Sequence, residues 1–216
     1  MDITNPKVED YIRNLLARHD ESVLLEMEAE GRERNFPIIG RMVGVAVEIL
    51  ARSIGARRVF ELGSGYGYSG YWFSRAVGPE GELHLTDGDP ENEKKALDYL
   101  GRAGLAGPVH YHVGEAVQTL NAIEGVFDIV YCDIDKGDYP TAWRAARDRI
   151  RPGGLFICDN TLWSGRVTGD PDVEDLRPEW TAAVDEMNRS VAADRDFLAT
   201  ILPIRDGVLV ALRLAQ

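Results

Sequence analysis

The sequence predicts an α/β protein: a doubly wound, seven-stranded, mostly parallel sheet preceded by N-terminal helices. Three observations lead there. From Arg58 onward, short apolar runs alternate with amphipathic stretches, the pattern of strand and helix in turn. One apolar run passes straight into glycines and then a helix, from Val59 to Gly70. The chain closes on two apolar runs separated by Arg205-Asp206-Gly207, a terminal hairpin that leaves the last strand antiparallel. Strands joined by crossover helices run parallel and are covered on both faces.

The elements follow in order. Asn5-Pro6 marks a helix start, with Val8, Ile12, Leu15 and Leu16 as its apolar positions. A second helix covers Ser22 to Gly31 and stops at the glycine. Phe36-Pro37 breaks the chain, and Ile39 to Ile54 forms a third helix with Val43, Val47, Leu50 and Ile54 on one side. Strands are expected at Arg58–Leu62, Glu82–Asp87, Val109–Val113, Phe127–Asp133 and Gly154–Asp159. The helices between them are Tyr68–Val77, Pro90–Ala103, Glu115–Ile123 and Tyr139–Ile150. Ser164 to Pro178 is polar and rich in glycine and proline, so it reads as a mobile loop. A helix over Arg177–Ala192 precedes the hairpin strands Phe197–Ile204 and Gly207–Leu214. No repeat or interdomain linker interrupts this, so 216 residues form one domain: a helical cap over 1–54 and a core over 55–216.

Composition narrows the function. Apolar residues make up 44%, enough for a sizeable core. No apolar run approaches the ~18 residues of a membrane span, and the N-terminus has neither a basic nor an apolar leader region. A cytoplasmic protein is therefore expected. Twenty-four basic against 36 acidic residues give a formal net charge of −12, which disfavours nucleic acid as a partner. Cys132 and Cys158 lie inside apolar runs and read as small core residues. His84 falls on one expected strand, and His110 and His112 share a face of another and read as packing or edge residues rather than ligands. His19 has no evident partner. Twenty basic residues are arginine and four are lysine; one of the four, Lys136, stands among acids, where a group able to give up its proton has a use that arginine lacks.

The glycine loop is the sharpest local feature. Gly63, Gly65, Gly67 and Gly70 follow the first strand and open a helix whose free N–H groups favour a ligand. Gly65-x-Gly67-x-x-Gly70 has dinucleotide spacing. Gly63-x-Gly65-x-Gly67, preceded by Glu61, suits the amino-acid part and ribose of S-adenosylmethionine. Glu61 would sit badly beside phosphates but well beside a ligand ammonium. A loop that merely turns is the plain alternative. Asp87 argues against that alternative, because an acid ending the second strand, 24 residues after Gly63, can accept both ribose hydroxyls.

A second constellation lies further on. Asp133-Ile134-Asp135-Lys136-Gly137-Asp138-Tyr139 ends one strand and Asp159-Asn160 ends the next. Parallel topology brings those ends side by side. Asp133, Asp159 and Asn160 then offer hard oxygen donors of the kind that hold Mg²⁺. Asp133-x-Asp135-x-Gly137 is not a calcium loop, since its twelfth position is Arg144. Beside a cation, and partly buried, Lys136 would have a lowered pKa and could take a proton from a hydroxyl. A solvated ion pair with Asp133 or Asp138 is the simpler reading of that lysine taken alone.

With these motifs, the chain resembles the cation-dependent class I O-methyltransferases, a group that includes catechol and caffeoyl-CoA O-methyltransferases. The resemblance runs from about Asn35 to the C-terminus and rests on Phe60–Ser69, Asp133–Lys136 with Tyr139, and Asp159–Gly165. It implies a Rossmann-like methyltransferase fold. It implies that Glu61, Gly63, Ser64 and Ser69 contact the methionine part of S-adenosylmethionine and neighbouring groups, that Ile39 touches the cofactor, that Asp87 holds the ribose, and that Glu115 and Ala116 lie beside the adenine. Asp133 and Asp135 fall on the cofactor side. Asp133, Asp159 and Asn160 would bind Mg²⁺ or a similar divalent cation, and Lys136 would be the general base. Lys136, Asn160 and Ser164 would face the acceptor. Relatives use their N-terminal helices to shape the acceptor pocket and for dimer contacts, so a homodimer is expected.

The chain also departs from the family pattern. Gly40-Arg41-Met42-Val43 stands where Ser-Pro-Glu is common, and Gly88 replaces an apolar residue after the ribose acid. The expected activity is methyl transfer from S-adenosylmethionine to a hydroxyl of a vicinal dihydroxy-aromatic small molecule. The rivals are methylation of a hydroxylated tRNA base on the same fold, and a nucleotide-dependent oxidoreductase or nucleoside binder.

Overall fold

The computed structural model describes residues 5–16 and 21–215; His19 lies outside them. Helices α1 (Pro6–Leu15), α2 (Ser22–Glu33) and α3 (Gly40–Ser53) come first. Strands and helices then alternate: β1 (Arg58–Leu62), α4 (Tyr68–Val77), β2 (Glu82–Asp87), α5 (Pro90–Arg102), β3 (Val109–Val113), α6 (Ala116–Ala122), β4 (Phe127–Cys132), α7 (Tyr139–Ala146) and β5 (Ile150–Cys158). Helix α8 (Pro178–Ala193) and the hairpin β6 (Phe197–Leu202) and β7 (Val208–Arg213) complete the chain.

The seven strands form one sheet in the order β3-β2-β1-β4-β5-β7-β6. Strands β1 to β5 pair in parallel, and β7 runs antiparallel to both neighbours. The chain leaves β1 toward β2 and β3, then returns to the other side of β1 with β4. Ligands of open α/β sheets bind where the strand order reverses in this way.

Two apolar layers flank the sheet. Val43 and Val47 of α3, Tyr71 and Trp72 of α4 and Leu100 of α5 pack on one face. Leu120 of α6, Trp143 of α7 and Val184, Met187 and Val191 of α8 pack on the other. Local chemistry starts the helices as the sequence indicates. Asn5 accepts from Lys7 N, Asp89 accepts from Glu91 N, and a proline follows each cap. Cys132 and Cys158 are buried and free, on neighbouring strands. On β2 and β3, His84 Nδ1 and His112 Nε2 are 3.1 Å apart, and the His84 ring stacks on those of His110 and His112.

Several boundaries differ from the sequence reading. Helix α2 runs through Gly31 to Glu33. That glycine is a packing residue: a Cβ there would lie 2.7 Å from the Tyr66 hydroxyl oxygen. Strand β4 ends at Cys132, one residue before Asp133, while β5 begins at Ile150 because a register irregularity opposite Phe127–Ile129 accommodates Pro152-Gly153-Gly154. Helix α7 stops at Ala146 and one 3-10 turn covers Arg147–Arg149. Part of the loop expected from Ser164 is a 3-10 turn over Trp163–Thr168. Helix α1 buries none of its residues, and Val8, Tyr11 and Leu15 stay 47%, 65% and 60% exposed.

Helix α2 is tied down by polar contacts. Glu30 binds Lys95 and, at 2.6 Å, the Tyr99 hydroxyl, and Tyr66 OH donates to Met27 O at 2.9 Å. Burial works to raise the Glu30 pKa, but Lys95, Tyr99 and Arg34 outweigh it and hold the carboxyl near 2. No helix among the described residues is long and apolar enough to cross a membrane.

Candidate active site

The parallel register places three strand ends in a row. Leu62 pairs with Cys132, and Cys132 with Cys158. The next residues, Gly63, Asp133 and Asp159, therefore emerge side by side. The ladder continues into them, with Asp133 N donating to Leu62 O at 2.9 Å and Asp159 N to Cys132 O at 3.1 Å. Gly63 has φ +81°, and a Cβ there would collide with the Asp133 carbonyl oxygen. Only glycine lets the loop pass so close to β4.

Thr86, near the end of β2, fastens the loop. Gly63 N donates to its Oγ1 at 3.2 Å, Ser64 N to its carbonyl at 2.7 Å, and its own N–H donates to Ser64 Oγ at 3.0 Å. Asp87 follows. Its Oδ2 accepts from Gly65 N at 3.2 Å, and its Oδ1 accepts from Asp89 N at 2.8 Å and Asn92 Nδ2 at 3.0 Å. The carboxylate is thus held in one orientation beside the glycine loop.

A cavity of about 1170 Å³ opens above this row. Its wall includes Ile39, Gly63, Ser64, Ser69, Asp87, Glu115, Ala116, Asp133, Asp135, Lys136, Asp159 and Asn160, most of the residues singled out from the sequence. Two of those residues lie off the wall. Glu61 is fully buried behind Ser69, whose hydroxyl donates to Glu61 Oε1. Ser164 belongs to the loop beyond Asn160 and its N–H donates to Asp206 Oδ1. Glu115 reaches the wall, but its carboxylate accepts from Val117 N and Gln118 N and caps α6.

Charge is concentrated here. Burial pushes the Glu61 carboxyl up to about 8; hydrogen bonds from Ser69 and Ser64 oppose this, and the nearby Asp133 and Asp87 charges add to it. Glu61 Oε2 has no hydrogen-bond partner. Burial, then the charge of Asp133, raises Asp159 to about 7, and Asp159 Oδ1 is likewise buried without a partner. Tyr139 OH donates to the Asp159 carbonyl at 2.8 Å and fixes its backbone.

Lys136 Nζ donates to Asp133 Oδ1 at 3.1 Å and to Ile134 O at 3.3 Å, with its side chain 11% exposed. The lowering expected for Lys136 presupposes a bound cation, and Asp133 by itself acts the other way. Burial lowers the amine pKa, but the Asp133 carboxylate outweighs it and holds Lys136 above its ordinary value. Spacing placed the acid beside the lysine; the depression expected for a base needs a positive neighbour in its stead.

The residues fit the groups expected of them. Glu61 Oε2 is a buried acceptor without a donor beside an acidic cavity, which suits a cationic ligand such as S-adenosylmethionine. Among the described residues no three His, Cys, Asp or Glu side chains converge as a metal cluster. The oxygen set consists of two carboxylates and the Asn160 amide. The mutual repulsion of Asp133 and Asp159 is what a divalent cation would relieve. Asn160, Trp163 and Ser164 take φ of +53°, +48° and +54°, a cluster of strain of the kind found at functional sites.

Sequence reasoning passed over part of the wall. Phe36, Pro37 and Ile38 line the cavity from the segment before α3, Arg41 from the first turn of α3, and Arg205 from the hairpin tip. The Phe36-Pro37 break signalled a turn, and Arg205-Asp206-Gly207 signalled a hairpin, but neither pattern says what it faces.

Comparison with known proteins agrees with this geometry. The profile of the O-methyltransferase family matches residues 18–214. Caffeoyl-CoA O-methyltransferase 1 of Eucalyptus globulus is 27% identical over 97% of this chain and 83% of its own length. Catechol O-methyltransferase of Niastella koreensis is 31% identical over 77% of this chain and 78% of its own. The O-methyltransferase TomG from Streptomyces achromogenes, solved in complex with S-adenosylmethionine, has 30% identity and a TM-score of 0.84, with 97% of this chain and 96% of that one covered. Since the family match spans the whole sheet together with its glycine loop, the chain belongs to the O-methyltransferase family and is an S-adenosylmethionine-dependent O-methyltransferase.

Proposed function

We propose that the protein methylates one hydroxyl of a catechol-type small molecule and does so with a divalent cation. The observation that carries this reading is the meeting of Asp133, Asp159, Asn160 and Lys136 on one wall of the cavity that the glycine loop also lines. S-adenosylmethionine supplies a methyl group on a positively charged sulfur. A divalent cation, when bound by Asp133, Asp159 and Asn160, supplies charge that acidifies a chelated hydroxyl.

The chain's own residues do the rest. Asp87 holds the ribose through the lone pairs that Gly65, Asp89 and Asn92 leave open. Gly63, Ser64 and Ser69 hold the cationic methionine end with the Glu61 charge behind Ser69, Ile39 touches the cofactor from the residue before α3, and Glu115 and Ala116 border the adenine. Asp135 completes the cofactor side. Lys136 takes the proton from the reacting hydroxyl, while Asn160 and the loop carrying Ser164 orient the acceptor. Much of the rate then comes from alignment of oxygen and methyl group.

The apolar stripe of Val8, Tyr11 and Leu15 supports a homodimer, and the two free thiols accord with a cytoplasmic setting. The test is an acceptor screen by mass spectrometry with S-adenosylmethionine. The expected product is a mono-methylated catechol, formed with Mg²⁺ and not with EDTA. Methylation of tRNA with no turnover of any catechol would overturn the reading.

A further inference from the structure

One positive charge on the cavity wall has no part in the transfer described above. Arg205 sits at the tip between β6 and β7 with φ +52°, a conformation that an L side chain adopts at a cost. The tip is fastened to the segment that follows Asn160. Thr161 N donates to Gly207 O at 3.0 Å, Leu162 N to Asp206 O at 2.9 Å, and Ser164 N to Asp206 Oδ1. Arg205 is therefore held at a fixed place beside Asp159 and Asn160.

Its guanidinium makes one hydrogen bond, from Nη1 to Ile38 O at 2.8 Å. Its charge is close enough to Asp159 and Asp206 to favour their ionised forms. Yet among the described residues Arg205 forms no ion pair. The other cations on this wall contrast with it. Arg41 is paired with Glu28 through two hydrogen bonds, of 2.7 and 3.1 Å; Arg13 pairs with Glu9 and Asp10; Lys136 pairs with Asp133. Only Arg32, exposed in the last turn of α2, shares the lack of a partner among the described residues.

A guanidinium keeps its charge and offers several N–H groups in a planar fork that matches a carboxylate. In a protein of net charge −12, with a cavity walled by acids, an anionic acceptor is repelled unless a local cation receives it. We propose that Arg205 is an anion subsite for the acceptor, so that the preferred substrate is a catechol bearing an anionic substituent on its ring or on a short arm. This rests on the catechol reading above. The anion has two chemical sources, the carboxylate of a free aromatic acid or the phosphates of a coenzyme A thioester.

The test compares kcat/KM for 3,4-dihydroxybenzoate and 3,4-dihydroxybenzamide, which match in ring and size and differ in charge. Because the two substituents also alter hydroxyl acidity, the readout is the change in their ratio on mutation. Arg205→Gln, which keeps a donor for Ile38 O, should lower the benzoate preference roughly 10- to 100-fold, the scale of a hydrogen bond to a charged group. Arg205→Lys should retain most of it. Arg32→Gln should leave the ratio as it is. Dihydroxycinnamate tested against its coenzyme A thioester assigns the anion: a loss confined to the free acid places a carboxylate at Arg205, and a loss confined to the thioester places a phosphate there.

A ratio indifferent to Arg205→Gln, or one that falls with Arg32→Gln instead, overturns the proposal. If native protein methylates neither compound, the catechol reading is judged by the acceptor screen above and the subsite by calorimetry with S-adenosylhomocysteine present. Equal affinity for benzoate and benzamide in that measurement overturns the subsite as well.

Discussion

Lys136 Nζ lies 3.1 Å from Asp133 Oδ1, and the carboxylate holds the amine above its ordinary pKa despite burial. In the ligand-free protein the carboxylate thus keeps the amine protonated, as a donor. If Lys136 is the base proposed above, a cation that takes up the negative charge of Asp133 would free it to accept a proton.

This makes Lys136 testable as a base. Lys136→Ala and Lys136→Arg should each lower kcat by roughly 10²–10⁴-fold. Arginine keeps the charge and cannot deprotonate near neutral pH. A nitrocatechol, whose hydroxyl is already acidic, should lose less in the alanine variant than an ordinary catechol. Equal losses on both acceptors would assign Lys136 to substrate positioning.

Asp159 separates the metal from the cofactor. Asp159→Ala should abolish Mg²⁺-supported turnover and weaken Mg²⁺ binding by calorimetry. It should leave S-adenosylmethionine affinity closer to native than Asp133→Ala does, since Asp133 abuts the glycine loop at Gly63. Full activity in metal-free buffer would mean that these oxygens serve another purpose.

Asp87 should matter to the cofactor alone. Removing its carboxylate in Asp87→Ala should weaken S-adenosylmethionine binding by about 1.5–3 kcal/mol, the range for hydrogen bonds to a charged group. Part of that loss comes through the loop, because Gly65 N also depends on Asp87. Unchanged affinity in a folded variant would remove Asp87 from the site.

Glu61 sets a pH dependence of stability. Its folded pKa, about 8, lies above the ordinary 4.5, so between these values the native state binds more protons than the unfolded chain. Stability therefore falls as pH rises through that window. Asp159, raised to about 7, acts in the same direction. His84 acts in the opposite direction: held near 4, it stabilises above 6.5 and loses that contribution as pH falls toward 4. The clean interval is pH 6.5 to 8. There the Tm of the ligand-free protein should drop, and Glu61→Gln should flatten the slope and raise Tm at pH 8. A slope unchanged by that substitution would mean that Glu61 ionises as an ordinary carboxyl.

Much of this could be read from residue order because parallel topology converts sequence into position. An acid just past an apolar run is an acid at the sheet's ligand edge, which is how Asp87, Asp133 and Asp159 announced themselves. Three things were not legible. Gly31 has the form of a helix stop, yet it is a contact surface for Tyr66, a partner 35 positions away. Spacing put Lys136 beside Asp133 but could not say whether burial or the ion pair would govern its proton. Arg205 looked like turn chemistry, since nothing local to the hairpin reveals that its tip reaches Ile38.

Ile38 and the tip at Arg205 belong to connecting segments, whereas Gly63, Asp133 and Asp159 are fixed by the sheet's own ladder. Mutation therefore meets two different tolerances within one cavity. A change at the ladder end disturbs the register of neighbouring strands, but a change at Arg205 alters a surface turn. If Arg205 receives the acceptor as proposed, substrate choice can change at a turn while the strand ends that carry the transfer stay as they are.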